Sequence, residues 1–467
     1  MITTDWTHAP YELMLSLWRQ WLAEDAQRNG QWPLLDRWLK RQLPQLKARA
    51  GNGAGHNRKA AGQNKKVSSA ALDTATQLSV STAMFAAMRY LQLATALEWS
   101  YREQTLELDW SAWDEGWSPI EVHKVPPAAF WYWIALRNAS NASSPSVLRD
   151  AEARRHWFLK LQQAFSKAQQ LSAAALLWQG LRPQWADVLQ ARAQRSEWSA
   201  EELACFMAMQ NQLPPLWLRP QGTAKAAELV QLLRREGVEA ELGEQGLYAT
   251  GGAGIQQTSA YKNGLLEIQD RASQDIALGV AVRPGEKVWD TCAGAGGKSL
   301  AIAARMNNKG MLLATDLRAY KLEELKRRAK RAGFFNIRTF EWQGSGALRL
   351  PAEAARQQGF DWVLVDAPCT SAGTWRRNPD ARWRFSPADT RDLQELQKNI
   401  LHWASEAVRP GGHLVYGTCS WQVSENESQV AAFLQSHPSF SLQSQRLVGA
   451  PAWDSDTMFV AVLQKTK

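Results

Sequence analysis

The sequence predicts an α/β domain of doubly wound type, preceded by a small α+β domain and an all-helical N-terminal domain. Three observations predict it. Lys287-Val-Trp-Asp290 is a short apolar strand that runs through the small residues Thr291–Gly297 into the helix-forming stretch Lys298–Arg305. Strand, glycine-rich turn and helix in that order open the nucleotide site of doubly wound domains, where glycines let the backbone approach a ligand and the helix N-terminus offers unpaired N–H groups. From about residue 260 onward, strand-like and helix-like stretches alternate, which is the pattern of a parallel-rich sheet covered on both faces. Before residue 200 the chain is instead rich in Ala, Leu, Gln and Trp, with apolar residues at helical spacing in several places.

Bulk properties bound the function. A chain of 467 residues is long enough for two or three domains. No apolar run reaches the ~18 residues that a bilayer-spanning helix needs, and Met1–His8 lacks the basic-then-apolar order of a leader. The expectation is a soluble, cytoplasmic protein with no membrane partner, acting as a monomer. The four cysteines, Cys205, Cys292, Cys369 and Cys419, form no C-x-x-C pair, so neither a zinc site nor a disulfide framework is expected and no metal is assigned. The net charge of +9 suits a polyanionic partner such as nucleic acid. The 24 tryptophans are read mainly as core filling.

In chain order, residues 1–200 are assigned to the helical domain. Tyr11–Leu22, Leu34–Leu39, Thr82–Leu93 and Trp157–Phe165 carry helical periodicity. Between them lies a basic linker, near 47–67, with Lys47, Arg49, Arg58, Lys59, Lys65 and Lys66 and no acidic residue, which reads equally as a phosphate-touching segment or a solvated linker. Residues 201–258 form the small α+β domain. Its first helix, Ala200–Gln210, carries Cys205 beside Phe206 and Met207, where it reads as a buried core thiol. Helix-like Ala224–Glu236 and strand-like Leu247–Thr250 follow, and Gly251–Gly254 reads as a joint. Residues 259–467 form the α/β domain. Strands are expected at Lys287–Asp290, Met311–Thr315, Ile337–Phe340, Asp361–Val365, His413–Gly417 and Met458–Leu463. Helices are expected near Lys298–Met306, Tyr320–Ala332, Asp389–Val408 and Glu425–Gln435.

The chemistry gathers at the ends of these strands. Asp316, 26 residues after Asp290, ends the second strand, where an acid accepts hydrogen bonds from ribose hydroxyls; placement alone leaves a nicotinamide cofactor open. Asp361–Thr370 ends the fourth strand and presents Asp366, Pro368 and Cys369 at the edge where α/β ligands bind. His413–Ser420 ends the next strand with Cys419 in the same position. Two thiols at two strand ends, beside an acid and a glycine loop, point to thiolate chemistry.

These segments resemble the NOL/NOP/Sun family of RNA cytosine-5 methyltransferases, bacterial ribosomal RNA members above all. The resemblance covers about residues 210–467. It rests on Pro214–Arg219, Gly264–Gln274, Asp290–Lys298, Asp366-Ala-Pro-Cys369, Arg376-Arg-Asn-Pro-Asp380 and Thr418-Cys-Ser420. It implies a Rossmann-like domain that uses S-adenosylmethionine. By the resemblance, Cys292, Ala293, Gly294, Ala295, Gly296, Gly297 and Lys298 cradle the methionine part and Asp316 holds the ribose. Asp366 lies beside cofactor and base, Cys419 is the nucleophile, and Cys369 assists product release. The residues alone do not rank the two thiols; the resemblance decides for Cys419. Arg376 and Arg377, just after the acid and thiol, are expected to contact RNA phosphates. The substrate implied is ribosomal RNA; transfer RNA, or a catalytically inactive RNA-binding ribosome assembly factor, are the alternatives. The chain departs from the family at Ser345, in Gly344-Ser-Gly346, where the family usually has an acid on the adenine side of the cofactor. Ala295 stands for the usual proline, and Pro220 for the usual asparagine.

Overall fold

The computed structural model describes residues 11–27, 34–45, 72–106, 108–252, 254–384 and 386–466. The basic linker near 47–67 lies outside the described residues. The chain divides into two compact units, one of residues 1–186 with Asn378–Trp383 and one of residues 187–377 with 384–467.

The first unit is helical. Its longer helices are Tyr11–Gln27, Thr74–Arg89, Leu91–Glu103, Pro127–Asn138 and Ala151–Ser166. Tryptophan fills the core, as expected: Trp18, Trp21, Trp38, Trp131 and Trp133 are fully buried, and Trp18 stacks on Phe130 at 4.4 Å between centroids. One charged pair crosses this core. Glu98 accepts two bonds from Arg154, at 3.0 and 2.9 Å, and one from the Trp133 indole at 2.9 Å. Its charge is thus buried with every oxygen partnered. Asn378–Trp383 belongs here although it is remote in sequence. Trp383 Nε1 donates to Met88 O at 2.6 Å and Arg382 to Gly180 O at 2.7 Å.

The second unit holds two sheets. Strands β1 (Leu216–Pro220), β2 (Val238–Gly243), β3 (Gly246–Gly252) and β4 (Leu266–Ile268) form a small antiparallel sheet in the order β2-β3-β1-β4. The larger sheet contains β5 (Lys287–Asp290), β6 (Met311–Asp316), β7 (Ile337–Glu341), β8 (Phe360–Asp366), β9 (Val408–Thr418), β10 (Phe440–Val448) and β11 (Met458–Lys465). Its order is β10-β11-β9-β8-β5-β6-β7. Strands β5 to β9 are parallel, and β10 and β11 close one edge antiparallel. This is the expected Rossmann-like α/β sheet. An apolar cluster lies on each face, one around Ile276, Leu300 and Leu325, the other around Trp289, Phe360 and Leu401. Buried on both faces, β6 and β8 carry the apolar runs Met311–Ala314 and Trp362–Val365. From β5 the chain order runs outward in one direction to β6 and β7 and in the other to β8 and β9, so the crevice at the C-terminal ends of β5 and β8 is the switch point where such sheets bind ligands.

Divisions in the structure fall elsewhere than expected. The contact division comes at residue 186 rather than near 200. Helix Ala186–Arg195 is tied into the second unit by buried Arg192, which donates to Trp421 O at 2.6 Å and to both Glu427 oxygens at 2.8 Å. Helical periodicity shows that a face is buried, not what buries it. The small sheet extends past residue 258, because β4 pairs with β1. Gly251 and Gly252, expected in a joint, are paired residues of β3.

Candidate active site

The glycine loop is set by sterics. Gly294 and Gly296 have φ of +55° and +87°. A Cβ on Gly296 would come within 2.6 Å of Leu325 Cγ. Only glycine allows the turn into helix Gly297–Met306 at that separation. The loop is then tied to β6: Ala293 N donates to Thr315 O at 2.8 Å, and Gly294 N to Asp316 Oδ2 at 3.0 Å. Asp316 Oδ1 accepts from Arg318 N at 2.9 Å. Asp316 thus orients the loop from the end of β6.

Asp290, at the end of β5, is 1% exposed. Its Oδ2 accepts from Ser299 Oγ at 2.6 Å, and its Oδ1 has no partner among the described residues. Burial pushes its carboxyl up to about 7, with Asp366 adding to the rise and Ser299 opposing it. Cys292 lines the same loop. Burial pushes its thiol up to about 12, which leaves it a neutral lining residue.

Lys298 reaches across from the first turn of the helix, and its Nζ donates to Asp366 Oδ2 at 2.7 Å. Burial disfavours the ammonium, but Asp366 more than offsets this, so Lys298 holds its proton above the ordinary lysine range. The pair joins the end of β8 to the glycine loop.

The two thiols meet. Cys369 Sγ and Cys419 Sγ lie 3.2 Å apart, and the Ser371 hydroxyl is 3.5 Å from Cys419. A hydrogen bond joins the two sulfurs. That bond lowers the Cys419 thiol against the cost of burial; Ser371 and Lys298 act in the same direction and Asp366 opposes them. Cys369 is pushed well above its usual range by the same bond, by burial, and by the nearby charges of Cys419 and Glu425. The two shifts run in opposite directions, Cys419 down and Cys369 up.

The loops carrying these groups are bound together. Gly373 N donates to Cys419 O at 2.9 Å, and Thr457 N donates to Gly373 O at 3.0 Å. A Cβ on Gly373 would sit 1.6 Å from Thr457 O, so no side chain fits there. Three residues not singled out from the sequence complete the support. Glu425 accepts from Thr370 N at 2.9 Å and Thr370 Oγ1 at 2.6 Å. Asn426 donates to Ser420 O at 2.9 Å and accepts from Thr418 Oγ1. Gln397 Nε2 donates to Pro368 O at 2.9 Å and to Glu425 at 3.0 Å. The visible signal was Ser424-Glu-Asn-Glu427 five residues after Cys419, polar residues at the start of a helix whose carboxylates point inward.

Other expected site residues lie elsewhere. Arg376 is fully buried, bonded to Gln212 O at 3.0 Å, to Ser455 O at 2.8 Å and to Asp454, so it holds the fold and does not present itself to a phosphate. Arg377 is bonded to Asp456 and Asp270. Both arginines were expected to contact phosphates from their place just after Asp366 and Cys369; the acids that hold them are 78 or more residues away in sequence. Cys205 is exposed, its Sγ 3.7 Å from Met209 Sδ, because its helix turns Phe206 and Met207 inward instead. The basic helix Ala319–Arg331 is divided: Lys326 pairs on the surface with Glu323, while Arg328 and Arg331 converge on buried Glu267. Ser345 lies exposed in the loop after β7.

A family profile described as "16S rRNA methyltransferase RsmB/F" matches residues 277–461. A probable ribosomal RNA small subunit methyltransferase B from Bacillus subtilis (strain 168) is 37% identical over 220 residues, 46% of this chain and 48% of that protein. The chain thus spans about half the length of that relative. A ribosomal RNA small subunit methyltransferase B from Enterobacter sp. (strain 638) is 30% identical over 298 residues, 61% of this chain and 67% of the relative. Among solved structures, a methyltransferase homolog from Pyrococcus horikoshii shares the fold, with a TM-score of 0.53 and 24% identity, over 64% of this chain and 99% of that one. Sequence match and shared fold agree with the strand-end motifs, and the chain belongs to the NOL/NOP/Sun methyltransferase family, in its RsmB/F branch.

Proposed function

We propose that this protein transfers a methyl group from S-adenosylmethionine to C5 of a cytosine in RNA, with ribosomal RNA of the small subunit as substrate and Cys419 as the covalent nucleophile. The observation that carries the reading is the pair of thiols 3.2 Å apart at the ends of β8 and β9, flanked by the Lys298–Asp366 ion pair and the glycine cradle. S-adenosylmethionine is the cofactor of this family, and the residues present fit it. The helix N-terminus at Gly297 and the unpartnered Oδ1 of Asp290 suit the charged ends of its methionine part, and Asp316 suits its ribose. When bound it supplies a methyl group on a positively charged sulfur.

The chain's own residues do the rest. Cytosine C5 is a weak nucleophile. The Cys419 thiolate adds to C6, and as the S–C6 bond forms, the C5=C6 electron pair moves to C5, where it forms the bond to the incoming methyl while the methyl–sulfur bond breaks and its pair stays on the sulfur, which becomes neutral. Asp366, held in place by Lys298, stands at the N3 side of the ring and stabilises the adduct. A base then takes the C5 proton. The pair left behind restores the C5=C6 bond, the C6–S bond breaks, and its electrons return to Cys419. The Cys369 S–H, with its sulfur 3.2 Å from Cys419, donates to the departing thiolate. Reaching C5 requires the base to leave its stack, and the net charge of +9 favours the RNA backbone around it.

The test is methyl transfer from isotope-labelled S-adenosylmethionine by the purified full chain to small-subunit ribosomal RNA, with bisulfite sequencing to locate the product. The reading expects one protected cytosine that is lost in a deletion strain. Label appearing only in transfer RNA would overturn the substrate assignment, and no labelled cytosine in any RNA would overturn the activity.

A further inference from the structure

We propose that the cavity at the C-terminal end of β10 binds an RNA nucleotide flanking the target base, taking its phosphate on Arg195 and Arg446 and its base against Trp198. The cavity has a volume of about 370 Å³, and its walls include Arg192, Arg195, Trp198, Glu427, Arg446 and Leu447. That is within the range of small-ligand sites. Its charge is unbalanced, with three arginines against one carboxylate. Glu427 is taken up by buried Arg192, which donates to both its oxygens at 2.8 Å. Arg195 Nε stands 4.0 Å from Glu427 with about half of its side chain exposed, and Arg446 is exposed. The wall thus offers two guanidiniums to an anion, and their planar forks suit a phosphate. Trp198 adds an aromatic surface; half-buried, it packs on Phe206 at 4.8 Å between centroids. Cation beside aromatic is the combination that holds single-stranded nucleic acid, with phosphate on the one and base on the other. An acidic peptide would use the arginines and leave the indole idle.

The cavity is placed to serve the proposed reaction, on which this reading rests. Strands β9 and β10 both run antiparallel to β11, so their C-terminal ends lie on one edge of the sheet. Phe459 of β11 pairs with Thr418 on one side and with Leu447 on the other. Two strand spacings of ~4.8 Å separate those partners, so a wall residue of the cavity stands about 10 Å from the residue before Cys419. That is the span of about three stacked nucleotides at ~3.4 Å each. The connection is built of buried contacts. Arg192 Nε donates to Trp421 O at 2.6 Å, and Phe206, which packs on Trp198, meets Trp421 edge-on at 5.8 Å. Trp421 is two residues after Cys419, so an RNA strand held in the cavity has a fixed reach to the thiol.

The experiment measures the affinity of the full chain for a short single-stranded RNA by fluorescence anisotropy across a series of salt concentrations. Arg195→Gln and Arg446→Gln each weaken binding, and each lowers the slope of log affinity against log salt by about 0.7, the value of one phosphate contact on a single strand. Trp198→Leu weakens binding about tenfold and leaves the slope unchanged, as loss of one stacked base does. Lys326→Gln removes a surface cation elsewhere in the same unit and is the control for overall charge. Equal losses for Lys326→Gln and the two arginine variants, or wild-type binding in all three cavity variants, would overturn the site alone. Displacement of the RNA by polyglutamate, with Trp198→Leu silent, would assign the cavity to an acidic protein and overturn the nucleotide. Failure of the wild type to bind any RNA would overturn both this site and the proposed function, whereas RNA binding through the cavity without methyl transfer would count against the proposed function only.

Discussion

Replacing Asp290 by asparagine changes how stability depends on pH. Burial raises this carboxyl from its ordinary 3.8 to about 7. The native protein therefore keeps a proton that the unfolded chain releases as pH rises from 3.8, so stability falls through that window and levels off above about 7. The full difference of about 3 pKa units corresponds to about 4 kcal/mol at ~1.36 kcal/mol per unit, of which about 2.5 kcal/mol falls between pH 5 and pH 8. Asparagine does not titrate, and its carbonyl still accepts from Ser299. Urea unfolding followed by circular dichroism at pH 5 and pH 8 measures the effect. The wild type loses about 2.5 kcal/mol more than Asp290→Asn on going from pH 5 to pH 8. Parallel pH curves for the two proteins would refute the reasoning, since a carboxyl that is ionised throughout contributes no such slope.

Two further substitutions test the architecture around the site. Arg376→Ala lowers stability by about 3 kcal/mol, as expected when one member of a buried charged network is removed, and leaves RNA affinity per folded molecule unchanged in filter binding; a stable variant with weakened RNA binding would restore the phosphate-contact role. Gly373→Ala forces a Cβ into a space only 1.6 Å from Thr457 O, which costs about 3 kcal/mol and separates the loops of Cys369 and Cys419; a thermal melt and an alkylation map together check it, and wild-type behaviour in both would show that the backbone can give way.

The sequence carried the C-terminal half well because its signals are local. Lys287–Lys298 announces strand, turn and helix within twelve residues, and β6 and β8 carry the apolar runs Met311–Ala314 and Trp362–Val365, which a doubly covered sheet buries. Strand β10 was missed because it is an edge strand whose residues are mostly exposed, so it lacks any apolar pattern. The small sheet was cut short for a related reason: β4 is three residues long and is defined by its partner β1, about 50 residues earlier. At the site, Cys369, Cys419, Asp366 and Lys298 were legible as strand-end and loop residues. Their mutual geometry was not, because a 3.2 Å contact between residues 50 apart depends on strands β8 and β9 lying side by side. The arginine pair misled because a cation's partner decides its role. Arg376 is held by residues some 80 positions downstream and 164 positions upstream, which no local pattern reveals.

The central claim is that Cys419 attacks the base and Cys369 serves its release. The most direct measurement is denaturing gel electrophoresis of Cys419→Ala and Cys369→Ala variants after incubation with small-subunit ribosomal RNA and S-adenosylmethionine. The account predicts that Cys369→Ala accumulates a covalent protein–RNA band carrying the transferred methyl group, whereas Cys419→Ala forms neither the band nor the product. A covalent band in Cys419→Ala, with none in Cys369→Ala, would contradict it.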